Sequence, residues 1–258
     1  MILNREKFVS EIHNQGYSVV EGVLSPDFVL RAKSELGRAI ELEAGYHGST
    51  DYSDYGMVLL CALYGGAFLD LFDNSTLRTC FNDILGDGCI AYAYTSSSMP
   101  PNKSNFSRRI HVDCPRLIPG YITNMGATIL LDDFTAENGA TWFLPYSQHR
   151  ADAPSQSEFE AGAKRLIAKA GSVWFFNARL WHAGGENQTA EWRHALTLNM
   201  IRPYMKQRID IPRAMSHMNL SGVSDACLQK LGFHAQVPAS YEEYYLPAEE
   251  RKYKQKAE

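Results

Sequence analysis

Cysteine is scarce in this 258-residue chain, five in all. Cys61, Cys80, Cys89, Cys114 and Cys227 lie far apart, with no CxxC pair. An odd, dispersed set argues against a disulfide framework and for a reducing compartment. Positive charge is not in excess. Lys and Arg number 25 against 29 Asp and Glu, a net charge of −4. No field attracts nucleic acid, and no basic run suggests a membrane surface. No apolar stretch approaches the ~18 residues that a membrane span needs. The charges in MILNREKF come too early for a secretory apolar region, and the tail KYKQKAE is a solvated end without a peroxisomal tripeptide. Internal repeats and low-complexity segments are missing as well. The expectation is a soluble, cytoplasmic protein with no nucleic-acid or membrane partner, of unknown oligomeric state. Its 45% hydrophobic and 21% charged residues are ordinary for a globular chain able to build a substantial core.

The first third has helical spacing. Phe8, Val9 and Ile12 share a face over residues 5–14, Gly16 follows, and YSVVEGV has the texture of a short strand. In LSPDFVLRAKSELGRAIELE, Ser25 is placed as an N-cap with Pro26 at the first helical position. A second helical stretch is expected over roughly 57–86. From about residue 89 short strands take over: CIAYAYTSS, GATILLDDF, ATWFLPYS, GSVWFFNA and RHALTLNMI, with Glu137-Asn138-Gly139 as a turn. Short strands between turn signals favour a sandwich or barrel over regular βαβ units. The expected fold is mainly β with flanking helices, one domain over 1–258. It comprises a helical buttress (about 1–88), a β core (about 89–205) and a mixed helix and loop extension (about 206–258).

The segment RRIHVDCPRL carries the first chemical signal. On a strand, side chains at i and i+2 share a face, so His111 and Asp113 point the same way while Val112 turns toward the packing side. Alone, the tripeptide also fits a hydrogen-bonded pair at a strand end. Sixty-nine residues beyond Asp113, His182 follows an apolar strand and precedes Gly184-Gly185, which puts its imidazole at a rim. Two imidazoles and one carboxylate on a single face form the triad of non-haem Fe(II) oxygenases. A zinc hydrolase can use the same side chains. Arg193 discriminates between them. Period 2 places Arg193, Ala195, Thr197 and Asn199 on one face, with His194, Leu196, Leu198 and Met200 on the packing face. A guanidinium beside the metal binds a carboxylate through two parallel hydrogen bonds, as a dicarboxylic cosubstrate requires. A surface arginine is the alternative.

These stretches together resemble the phytanoyl-CoA dioxygenase family of Fe(II)- and 2-oxoglutarate-dependent oxygenases. GYSVVEGVLSPDFVLRAKSEL is similar to its N-terminal signature and IHVD to its first metal motif. ATILLDDFTAENGATWFLPYSQH resembles its central hairpin, and GSVWFFNARLWHAGGENQTAEWR the stretch with the distal histidine and the arginine. The resemblance implies a double-stranded β-helix (jelly-roll, cupin-like) core. It implies iron on His111, Asp113 and His182, and the distal carboxylate of 2-oxoglutarate on Arg193. Thr128 aligns with a position that often touches the cosubstrate, though an ordinary strand threonine fits equally. Asn187 and Thr189 match a structural turn, and Pro145, Ser147 and His149 a strand-ending turn. Tyr146 stands where glycine is usual, so that turn is expected to be reshaped. Related halogenases replace the carboxylate by a small residue. Asp113 therefore points to hydroxylation of a small metabolite, with O2 consumed and succinate and CO2 released. Desaturation, cyclisation and epimerisation stay open.

Candidate pocket residues flank the first motif: Tyr92, Tyr94, Ser96, Ser98, Arg108, Arg109 and Arg116. The tyrosines fit core packing as well. The arginines would pair with an anionic substrate or lie on a solvated strand end. Cys114 is expected as a small buried filler, and His13, His47, His149, His194, His217 and His234 receive no role. Residues 46–72 and 241–245 are candidate lids. A metal-dependent hydrolase and a non-catalytic jelly-roll binding protein are the rival classes.

Overall fold

The computed structural model describes residues 3–251, and the terminal KYKQKAE lies outside them. Helix α1 (Arg5–Asn14) starts on an Asn4 cap, and α2 (Pro26–His47) on Ser25, whose hydroxyl accepts from Phe28 N–H. Between them lies β1 (Tyr17–Val20). The expected helix over 57–86 is broken instead. A 3-10 turn at Cys61–Tyr64, α3 (Ala67–Asp70) and another 3-10 turn precede α4 (Ser75–Leu85). The break falls at Gly65 and Gly66, both at positive φ, where helical backbone cannot continue. The carboxylate of Glu35, on α2, restarts the chain by accepting from Ala67 N–H at 2.7 Å.

The remaining strands are β2 (Ile90–Ser96), β3 (Asn124–Leu130), β4 (Trp142–Phe143), β5 (Lys164–Arg165), β6 (Val173–Asn177), β7 (His182–Ala183) and β8 (Ala195–Ile201). They form two antiparallel sheets, of order β1-β6-β3-β8-β2 and β5-β4-β7. The protein is thus mainly β with flanking helices, the jelly-roll arrangement expected. One detail differs. GATILLDDF and ATWFLPYS do not pair as a hairpin, because β3 belongs to the large sheet and β4 to the small one. Alternation marks a strand but not the sheet it joins.

The large sheet separates two environments. Met125, Ala127, Ile129, Val173, Phe175, Leu196, Leu198 and Met200 pack on the helices. Phe175 meets Phe8 of α1 and Phe81 of α4 edge-on, at 5.3 and 5.5 Å between ring centroids, contacts worth ~0.5–1.5 kcal/mol each beyond their buried area. Residues one position away face the small sheet. Of these, Leu130, Trp174, Phe176 and Ala195 make a second apolar cluster with Phe134, Phe143 and Leu180. The C-terminal extension joins the first core through Ile211, Met215, Cys227 and Leu231. Among the described residues no helix is long and apolar enough to cross a membrane.

Phe176 depends on Gly126, across the β3–β6 ladder, for space. A Cβ at Gly126 would overlap the Phe176 ring. Gly126→Ala is expected to destabilise the fold by about 1–3 kcal/mol, as overpacking does. An unchanged denaturant midpoint would show that the ring does not cover this glycine.

Candidate metal centre

His111 does not lie in a regular strand. It forms a single antiparallel bridge with His182, which opens β7. His111 N–H donates to His182 O at 2.9 Å, and His182 N–H to His111 O at 3.0 Å. The reciprocal pair sets the two imidazoles side by side, their centroids 4.2 Å apart. Each ring then has its Nδ1 against a main-chain carbonyl: Arg109 O at 2.7 Å for His111, Leu180 O at 2.9 Å for His182. A carbonyl only accepts, so Nδ1 carries the proton and Nε2 keeps its lone pair free for a metal. Burial pushes the His182 pKa down, with Asp113 opposing and His111 assisting, which favours the neutral, metal-binding ring.

Asp113 Oδ1 stands 3.6 Å from His111 Nε2 and 3.7 Å from His182 Nε2. The three ligand atoms lie within 4.8 Å of one another, close enough for one ion to reach all of them. Asn199, on β8, donates from Nδ2 to Asp113 Oδ2 at 3.3 Å, leaving Oδ1 of the carboxylate turned to the histidines. Two nitrogens and one oxygen on one side of an ion suit a divalent first-row transition metal with open positions.

A cavity of about 340 Å³ opens on the triad. Tyr92, Thr95, Ser96, Thr128, Trp174, Phe176 and Thr197 of the large sheet line it, with Ser97 just beyond β2. The indole of Trp174 stacks on Phe176 at 4.2 Å, and Phe176 meets the His182 ring edge-on at 5.2 Å. Arg193 is not itself a lining residue, in contrast to the expectation; it adjoins the wall at Ser97, bridged to Met99 and only 2% exposed, its Nη2 donating to Ser97 O at 3.2 Å. The guanidinium sits 4.3 Å over the Phe134 ring, and its Nε has no partner. Burial lowers its pKa to about 10, against the pull of Asp132, so it is still a cation at neutral pH. A buried cation with an orphaned donor is costly unless an anion completes it. A bound carboxylate fits that need.

The structure sorts the other candidates. Thr128 is buried in the cavity wall, between Trp174 and Thr197 in the ladders. Tyr92 and Ser96 line the cavity. Tyr94 faces the opposite core and donates to Phe68 O, and Ser98 contacts His194. The three flanking arginines miss the cavity. Arg108 pairs with Glu186 at 3.6 Å, Arg109 supplies the carbonyl for His111, and Arg116 lines a separate small cavity with Arg179. Cys114 is a buried filler, as expected. Asn187 donates to Met99, Pro100 and Glu191 carbonyls and accepts from Thr189, making a structural turn. Ser147 likewise ties its turn together, donating to Leu144 O and accepting from Trp181 N–H. Tyr146 takes the left-handed conformation, φ 65°, with its ring exposed. From 46–72 only Met57 reaches the cavity wall, and Tyr241, Tyr244 and Tyr245 line a different surface cavity. His194 is not idle: its main chain bonds Asp132, which pairs with Lys33 of α2. Sequence reasoning placed Asn199 on the cavity face without seeing its bond to Asp113. It missed Trp174 and Arg208, and no local motif marks either.

The profile of the phytanoyl-CoA dioxygenase (PhyH) family matches residues 12–195. The uncharacterized protein Rv1501 of Mycobacterium tuberculosis is 28% identical over 247 residues, covering 93% of this chain and 90% of that one. Among solved structures, apo EctD from S. alaskensis superposes with a TM-score of 0.65 at 19% identity, over 80% of this chain and 79% of that one. EctD with 2-oxoglutarate and 5-hydroxyectoine gives 0.63 at 18%, over 78% and 76%. At those identities the likeness speaks for the fold.

Asn199 supplies the hydrogen bond that orients Asp113. Asn199→Ala is expected to weaken binding of a divalent ion such as Co(II) by ~10–100-fold, the usual loss when such a support is removed. Anaerobic metal titration measures it; an unaltered affinity would mean that Asp113 is held without Asn199.

Proposed function

The chain belongs to the phytanoyl-CoA dioxygenase family, and we propose that it is a non-haem Fe(II)- and 2-oxoglutarate-dependent dioxygenase that hydroxylates a C–H bond of a small metabolite. The observation that carries this reading is the pairing of a two-histidine, one-aspartate cluster with a buried arginine lacking a partner at Nε. A hydrolytic metal site has no use for that second feature.

His111, Asp113 and His182 would hold Fe(II), and Arg193 the distal carboxylate of 2-oxoglutarate, with Thr128 beside it. The chemistry that bound Fe(II) supplies is O2 activation, in which 2-oxoglutarate is oxidised to succinate and CO2 and the second oxygen atom enters a substrate C–H bond. The chain does the rest by binding and exclusion. The Arg109 and Leu180 carbonyls fix the tautomer of each imidazole, and Asn199 aims one carboxylate oxygen at the metal position. Arg193 anchors the keto acid away from its reacting end, so orientation is set before reaction begins. Trp174 and Phe176 present apolar surface to the centre and keep water from it. At about 340 Å³, the cavity is at the lower end of small-molecule sites, roughly 300–1,000 Å³. A cosubstrate and one small metabolite are what it would admit.

Anaerobic addition of Fe(II) and 2-oxoglutarate should produce the visible charge-transfer band of a chelated keto acid. A metal hydrolase or a non-catalytic binding protein would stay colourless, and that result would end the proposal. Arg193→Ala should raise the 2-oxoglutarate dissociation constant by at least ~10-fold, the worth of a charged hydrogen bond, with iron still bound. Equal affinity in the variant would remove Arg193 from the site. Asp113→Ala should abolish substrate-coupled succinate release, and retained release would take Asp113 out of the ligand set.

A further inference from the structure

Few charges face the cavity. Of its lining residues, His111, Asp113 and His182 form the triad, and the one other charged side chain is Arg208. Its guanidinium is exposed and makes no hydrogen bond or ion pair among the described residues. A solvated surface arginine would look similar from its side chain alone. Its main chain tells otherwise.

Strand β2 is bulged where Arg208 docks. Ala91 pairs with Met200 and Ala93 with Asn199, which leaves Tyr92 as the extra residue. A bulge frees one residue from the ladder and re-aims its side chain. Here the freed Tyr92 carbonyl accepts from Arg208 N–H at 3.0 Å, while Gln207 Nε2 donates to Ala91 O at 2.8 Å and to Leu231 O at 3.1 Å. Two consecutive residues of the C-terminal extension are therefore fastened to the cavity wall, and the second presents a guanidinium there.

The position along the strand matters. Ala93 pairs with Asn199, the residue that holds Asp113, so Tyr92 and Arg208 lie one step from the level of the triad. Ser97 and Met99, which engage Arg193, lie five and seven residues from Tyr92 in the other direction. At ~3.3 Å per residue that is roughly 16 Å of extended chain to Ser97. Along β2 the level of the triad thus falls between the segment that docks Arg208 and the segment that engages Arg193. With the keto acid on Arg193, the space before Arg208 is what a substrate would occupy.

We propose that Arg208 is a specificity-determining residue that pairs with an anionic group, a carboxylate or a phosphate, on the substrate, with Tyr92 as the adjoining wall. This rests on the oxygenase reading above. A metal ion takes up the charge of Asp113, so the cavity carries a net positive field that draws anions and repels amines. The three arginines beside the metal motif suggest an anionic substrate from sequence; the structure assigns that pairing to a fourth.

The test uses the full chain loaded with Zn(II), with and without 2-oxoglutarate, and ligand-observed NMR. The probes are carboxylates, phosphate monoesters, amines and neutral alcohols of matched size. Carboxylates or phosphate esters should bind and the other classes should not; the better binder of the two identifies the group. Arg208→Gln should weaken that binding ~10-fold or more, Arg208→Lys should restore part of it, and 2-oxoglutarate affinity should be the same in both. Because Arg208 is exposed, a thermal melt matching the wild type checks that the fold is kept. Binding indifferent to probe charge, absence of anion binding, or anion binding undiminished in Arg208→Gln would each overturn the proposal. Failure of the oxygenase reading is seen separately, as a colourless wild-type protein with Fe(II) and 2-oxoglutarate before any probe is added.

Discussion

Two backbone hydrogen bonds between His111 and His182 hold the centre together. They join the loop after β2 to the small sheet at the point where both residues must present an imidazole. Neither residue sits in a long strand, so a ladder of many bonds does not fix the register. The reciprocal pair sets it together with Cys114 N–H donating to Ala178 O at 2.9 Å, Gly184 N–H to Ser107 O at 2.7 Å, and the pairing of His182 with Phe143. Main-chain carbonyls then set both tautomers. Backbone geometry, which is stiffer than any side-chain contact, thus determines which nitrogen of each ring faces the metal position.

The second constraint is electrostatic. Arg193 is buried next to an aromatic ring with one donor unpaired, a costly state unless an anion completes it. The apolar side of the large sheet, with Phe175 between Phe8 and Phe81, supplies the stability that a poised cation withdraws. In this sheet one face carries the main core, while the other carries the cavity beside a smaller apolar cluster.

How much was legible in the chain depended on the range of the interaction. Ser25 and Pro26 marked the start of α2 correctly because capping is settled within four residues. Alternation along β8 was also legible, with Thr197 and Asn199 on the cavity side and Leu196, Leu198 and Met200 on the main core, since it follows from strand geometry alone; Arg193 precedes the strand, on an isolated bridge to Met99. The reading failed where distant segments decide. Helix over 57–86 was broken by Gly65-Gly66 together with a carboxylate from α2. The expected hairpin of β3 and β4 was divided between two sheets. Arg108, Arg109 and Arg116 were near the metal motif in sequence but point elsewhere, whereas Arg208 arrives from 95 residues beyond Asp113 through a bulge that no pattern announces.

By itself the sequence determined the class of fold, the family, and the residue types able to hold a metal and an acid. The β-rich core with flanking helices follows from periodicity, and the family from the resemblance of several motif-bearing stretches taken together. Only the tertiary structure decided that three ligand atoms meet within one ion's reach, that Asn199 steadies the carboxylate, and that Arg208 rather than the arginines beside the motif lines the cavity. Each of those is a distance between segments remote in the chain, and such distances exist only once the sheets have packed.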